Sequence, residues 1–154
     1  MVVVPPCTNF GSWSNYNRIH HRQTWIKSRR VGELLAQLTS DVCWFQLANH
    51  RHFVGGNPLP FKLWEVDAFR KFTTAAAICF LVRCDQRILG LVDSVVVSTL
   101  TPTNFLASHA LLVKRLNVLY KGSHEHQRLE DQVNTISRWY FAQAWPYKLG
   151  ETLF

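Results

Sequence analysis

The sequence has a single methionine, no internal repeat, no low-complexity linker and no apolar run long enough to cross a bilayer. Each absence excludes something. The longest apolar stretches, 75–82 and 95–97, are cut by Arg83, Asp85 and Arg87 or bounded by Asp93. They fall well short of the roughly 18 residues a membrane helix needs, so no spanning segment is expected. Residues 1–6 have neither a positive n-region nor a long apolar h-region, so no secretory signal is expected. The cysteines at 7, 43, 79 and 84 lack the tight spacing of a disulfide framework. Free buried thiols in a reducing compartment, cytoplasmic or nuclear, are the expectation. With neither repeat nor linker, the chain reads as one domain.

Acid is scarce as well. Lys and Arg number 17 against 10 Asp and Glu, and residues 1–30 hold Arg18, Arg22, Lys27, Arg29 and Arg30 with no carboxylate at all. The charge is therefore segregated, and the reading divides the chain into a basic arm, 1–30, and a single domain, 31–154. With 47% hydrophobic residues in 154, disorder throughout is excluded, because a chain of this size buries about 70% of its unfolded surface. Arginine exceeds lysine, and six Trp and seven His accompany the one Met, unlike the Lys, Glu and Ala bias of ordinary soluble enzymes. This composition suggests a small viral or recently arisen reading frame shaped by nucleotide constraints. A second long open frame over the same nucleotides would support that hypothesis, and its absence would count against it.

Residues 1–17 read as irregular, since Pro5-Pro6 blocks a regular element and Gly11, Ser12, Ser14, Asn15 and Asn17 favour turns. Val31, Leu34, Leu35 and Leu38 then form one apolar stripe at helical spacing, with Ser28 as a candidate cap and an end near Thr39-Ser40. Val42 to Val54 reads as a strand stopped by the turn Gly55-Gly56-Asn57-Pro58. Leu63 to Ala76 returns to helical spacing through Val66, Phe69 and Phe72. The runs Ile78 to Val82 and Ile88 to Val92 predict a hairpin, Val95 to Val97 extends it, and 99–104 is a breaker. Phe105 to Tyr120 reads as helix, with a strand over His109 to Val113 as the alternative. Ser123 caps a final helix carrying Leu129, Val133, Ile136 and Tyr140 that ends at Pro146. Tyr147 to Phe154 reads as an extended tail whose closing Leu153-Phe154 is either sticky or packed back onto the domain. The fold class expected is α+β, a small antiparallel hairpin or sheet packed by three or four helices, with a basic N-terminal extension.

Chemistry is most visible in the arm. Phe10, Trp13, Tyr16 and Trp25 interleave with Arg18, His20, His21, Arg22, Lys27, Arg29 and Arg30. Cations neutralise phosphates and flat rings stack on unpaired bases, so the mixture suits RNA or single-stranded DNA. A solvated extension whose rings dock on the core fits the same residues. Metal-ligand types are present at His50-Arg51-His52, His124-Glu125-His126, Cys43, Cys79 and Cys84, but without the close pairs of structural zinc, so no metal is expected. No Gly-x-Ser-x-Gly elbow, Ser-x-x-Lys or phosphate-cradling glycine loop occurs. Glu65 with Asp67, and Glu130 with Asp131, are spaced to diverge on helices. No catalytic residue and no cofactor is assigned.

Two resemblances bear on function. The order helix, strand, helix, hairpin, with Tyr120-Lys121-Gly122 opening a helix, is similar to the GNAT acetyltransferase superfamily over residues 30–140. That resemblance implies acyl-CoA pyrophosphate held on backbone amides at the helix start. Ser123, His124 and His126 stand where that family has glycines, and no catalytic residue is carried over. Leu59-Pro60-Phe61-Lys62-Leu63-Trp64 resembles the Leu-Pro start of F-box-like ligase-recruiting segments, which implies a protein-binding adaptor. The reading carried forward is a non-enzymatic, viral-type accessory protein. It contacts RNA with Arg18, Arg22, Lys27, Arg29 and Arg30 on phosphates and Trp13, Tyr16 and Trp25 as stacking surfaces. A host-protein adaptor is its close competitor.

Overall fold

In the computed structural model, residues 1–74, 79–90, 102–122, 132–133, 136–137 and 146–153 are described. A four-stranded mixed sheet is flanked by helices, the α+β class expected. Its strands are β1 (Val2–Val3), β2 (Val54–Pro58), β3 (Phe80–Asp85) and β4 (Pro102–Ala107). They lie in the order β1-β2-β4-β3, β1 parallel to β2 and the other pairs antiparallel. The helices are α1 (Ser12–His20), α2 (Arg22–Ala48), α3 (Asp67–Thr74), α4 (Ala110–Leu116) and α5 (Tyr147–Leu153). A separate two-residue ladder joins β5 (Gln132–Val133) to β6 (Ile136–Ser137).

Successive residues of β4 point to opposite faces, and that alternation separates two cores. Leu106 joins Phe53, Trp64, Phe69 and Phe72 beneath α2 and α3. Phe105 and Ala107 join Val54, Val82, Leu116 and Leu149 beneath α4 and α5. Among the described residues, no helix is long and apolar enough to cross a membrane.

Several sequence expectations are corrected. The region 1–17 is not wholly irregular, because α1 starts at Ser12. Its serines and asparagines are poor helix formers, so tertiary contact must hold it. The Trp25 indole N–H supplies one by donating to Ser14 Oγ at 2.8 Å. The helix expected near 31–40 instead spans Arg22–Ala48, so Val42 to Ala48 is helical and the boundary drawn between residues 30 and 31 lies inside it.

The apolar stripe lies mostly on the outer side of the helix, with Leu35 half-buried. Val31, Leu34 and Leu38 are exposed, and α2 buries Gly32, Ala36, Ser40 and Cys43 instead. The cause is close approach. A Cβ at Gly32 would lie 2.8 Å from the Asn9 side chain, and Ser40 Oγ donates to the Ala68 carbonyl at 2.6 Å. Only small residues fit such a contact, so Leu34 and Leu38 face outward.

Gly55-Gly56-Asn57-Pro58, expected as a turn, is strand β2 itself. Trp64 lies so near that a Cβ on Gly55 would come within 2.8 Å of its ring, which makes glycine a packing requirement there. Of the expected hairpin, the first run is β3, which pairs with β4 from Phe80↔Ala107 to Asp85↔Pro102; Gln86–Leu89 forms a 3-10 turn, and residues 78, 91 and 92 lie outside the described residues. Leu89 drops into the core and Gly90, at φ 89°, ends the turn in the left-handed region. The strand expected at Val95 to Val97 lies outside the described residues. Pro102 to Asn104 is no breaker but begins the central strand, with proline at its first position.

Helix α3 begins later than predicted, at Asp67, after a 3-10 turn at Leu63–Glu65, and residues 75 and 76 of the predicted span lie outside the described residues. In 105–120, helix occupies Ala110–Leu116 alone. Val133 and Ile136, expected on one helix, pair across β5 and β6, and the remainder of that helix lies outside the described residues. The tail is helical rather than extended. Pro146 precedes α5, and Leu149 and Leu153, one turn apart, are buried, so Leu153 does pack back.

Candidate nucleic-acid interface

The α1–α2 corner is where the sequence-predicted residues meet. In α1, Trp13, Tyr16 and His20 recur at helical spacing and build a continuous ridge of rings. Trp13 meets Tyr16 edge-on at 5.8 Å between centroids, and Tyr16 lies 4.3 Å from His20 at 33°. His21, the residue between the two helices, brings its ring within 6.4 Å of Tyr16. The ridge faces solvent, with Trp13 67% and Tyr16 49% exposed. His20 was visible as part of the aromatic-basic mixture, and its place four residues after Tyr16 was the signal that it extends the ridge.

Arg18 and Arg22 bracket the corner, and Lys27 and Arg30 follow along α2. All four side chains are exposed, and none makes an ion pair among the described residues. The positive end of the α2 dipole at Arg22 meets the negative end of the α1 dipole at His20, so the side-chain cations set the potential of the corner. At about 100° per residue, Arg18 falls roughly 140–160° around α1 from Trp13 and Tyr16, so it flanks the corner rather than the ridge.

Two of the eight predicted residues are engaged elsewhere. Arg29 Nε donates to Glu33 Oε1 at 2.8 Å, its Nη1 donates to the Asn9 carbonyl at 3.0 Å, and its guanidinium lies 4.5 Å from the Phe10 ring centroid. Arg29 thus fastens α2 to the preceding segment. Trp25 is half-buried and holds α1 through Ser14. The geometry joins Trp13 and Tyr16 in one ridge, sets Arg18 on the other side of α1, places Arg22, Lys27 and Arg30 along the exposed start of α2, and turns Trp25 and Arg29 inward.

The other candidates resolve differently. His52 and His109 approach to 4.4 Å between rings, yet His109 Nδ1 already accepts from the Leu111 backbone N–H. Among the described residues, no three ligand-type side chains converge on a metal position. His124 and His126 lie outside them, as does most of the loop on which the acetyltransferase resemblance rests. Leu63 and Trp64 of the Leu-Pro segment are core residues. Glu65 pairs with Lys62 at 3.6 Å and Asp67 with Arg70 at 3.0 Å. A cleft of about 520 Å³ between α2 and the segment leading into α3 is lined by Arg29, Glu33, Lys62, Glu65 and Asp67 among others. Opposite charges there largely answer one another.

All four cysteines are unpaired, and Cys43, Cys79 and Cys84 are buried. Burial pushes the Cys43 and Cys84 thiols up to about 12 and Cys79 to about 11, from an ordinary value of 9.0. Thiolate is the reactive form, so iodoacetamide at pH 8 is expected to label half-exposed Cys7 first, and the other three only on unfolding; mass spectrometry of the labelled protein checks this. The same shifts set a pH dependence. Above pH 9 the unfolded chain's thiols ionise while the buried ones stay protonated, so stability falls as pH rises from about 9 towards 12, and below that window the thiols add no pH dependence.

Set against protein-family models, curated proteins and solved structures, the chain matches none of them.

Proposed function

We propose that this protein binds single-stranded RNA through α1 and the first half of α2, as a binding protein without a catalytic set. The observation that carries the reading is the exposed ridge Trp13–Tyr16–His20, continuous at its end with the unpaired cations of the α1–α2 corner. A stacking surface beside phosphate-binding charge is what an unpaired strand needs. Trp13 and Tyr16 stack on bases, Arg18, Arg22, Lys27 and Arg30 hold phosphates, and Arg29 and Trp25 set the geometry of the corner. A viral-type accessory role in the cytoplasm or nucleus belongs to this reading on composition and reduced thiols alone.

The test is affinity for a single-stranded RNA oligonucleotide against salt. Four phosphates neutralised on a single strand give a logarithmic slope of about −3, and each of Arg18→Gln and Arg22→Gln removes roughly 0.7 of it. Trp13→Ala is expected to weaken binding at every salt concentration by about 1–3 kcal/mol. Arg29→Gln leaves the slope unchanged. Deleting residues 1–30 is unsuitable, because the cut falls inside α2. Salt-independent capture of a protein partner, with no RNA affinity at low salt, would favour the adaptor reading and overturn this one.

A further inference from the structure

The apolar side chains on the outward side of α2 are used neither by the core nor by the corner, whose cations Lys27 and Arg30 share one end of that side. Val31, Leu34, Leu38 and Phe45 are 56%, 64%, 59% and 58% exposed and follow one another at steps of 3, 4 and 7, with Asp41 in the intervening place. That is the seam spacing of a two-helix coil. It lies opposite the buried Gly32, Ala36, Ser40 and Cys43, so the fold positions it without covering it.

Charge selects the occupant and its direction. Lys27 and Arg30 lie at one end of the seam and Asp41 at the other. Asp41 Oδ1 accepts from Gln37 at 2.8 Å and has Lys71 Nζ only at 4.0 Å, while Lys27 and Arg30 have no ion pair among the described residues. A second copy laid parallel would set Arg30 beside Arg30 and Asp41 beside Asp41. Laid antiparallel about a two-fold axis level with Ala36, it sets Leu34 against the partner's Leu38. Arg30 then falls within about 2 Å, measured along the helix, of the partner's Asp41. We propose that the seam is the interface of an antiparallel homodimer, α2 against α2, with the two α1–α2 corners at its far ends.

Sedimentation velocity of the intact protein without nucleic acid, from micromolar to sub-millimolar concentration, tests this independently of the RNA reading. The expected mass is twice 17.9 kDa. Leu34→Glu combined with Leu38→Glu is expected to give a monomer with unchanged helical circular dichroism, since both side chains are exposed. Asp41→Arg should weaken the dimer at least about tenfold by setting like charges together, and adding Arg30→Asp should restore it. If the double glutamate variant loses helix, the two charge variants decide the matter alone. A wild-type monomer at every concentration, including one that binds anionic phospholipid vesicles, overturns the proposal. So does a dimer that survives both glutamates with its helix intact, or one that Asp41→Arg leaves unweakened, as parallel pairing would, since it only exchanges one like-charge pair for another.

Discussion

Replacing Trp64 with alanine is expected to destabilise the fold by about 3–5 kcal/mol, a large share of the roughly 5–15 kcal/mol that holds a domain of this kind. Trp64 is 5% exposed. Its ring covers the glycine backbone of β2, meets Phe69 edge-on at 4.8 Å, and donates its indole N–H to the Asn104 carbonyl at 3.1 Å. Alanine removes all three contacts and leaves a cavity against a strand with no side chain to fill it. Trp64→Phe separates the terms, because it keeps most of the apolar area and gives up the hydrogen bond, so a loss nearer 1 kcal/mol is expected. Urea unfolding followed by circular dichroism measures both. Equal losses for the two variants would show that the indole hydrogen bond, and not the ring volume, dominates.

Phe105→Ala is expected to cost a similar 3–5 kcal/mol, on the other face of the sheet. Phe105 is fully buried on β4, between Gly56 of β2 and Val82 of β3, and belongs to the core under α4 and α5. For a chain of about 150 residues each kcal/mol lowers the melting temperature by about 2–4 °C, so calorimetry should show a drop of roughly 6–20 °C. The two variants differ in where they loosen the molecule. Hydrogen exchange should rise first in α3 for Trp64→Ala, and first in α4 and α5 for Phe105→Ala. Matching patterns would mean that the two cores open as one unit.

Fold class was legible in the sequence because short apolar runs bounded by turn residues and helically spaced apolar residues both occur, and α3 was legible because Phe69 and Phe72 keep helical phase. The strand β2 was not, since Val54-Gly-Gly-Asn-Pro has the composition of a turn and becomes a strand only because Trp64 and β4 meet it from elsewhere in the chain. Helix α2 misled for a related reason. Local pattern assigns the leucine stripe to the core, whereas close packing against Asn9 and Ala68 admits only glycine, alanine, serine and cysteine. At the candidate interface the residue types were readable, but direction was not. Arg29 and Arg30 are neighbours in sequence, yet one ties down a carbonyl and a carboxylate while the other faces solvent, a difference of about 100° around the helix.

The continuity of α2 carries one more consequence. A single rod joins the cationic corner at Arg22 to Ser40, about 27 Å away, where its hydroxyl clasps Ala68 beside the first core. The charged end therefore does not swing as a tether; its orientation is inherited from the interior. A polyanion gripping those first turns restrains the whole rod, and saturation at a hundredfold excess over the dissociation constant would raise the free energy of unfolding by about 2.7 kcal/mol. Occupancy at the tip would thus be heard as a later melt in the middle of the molecule.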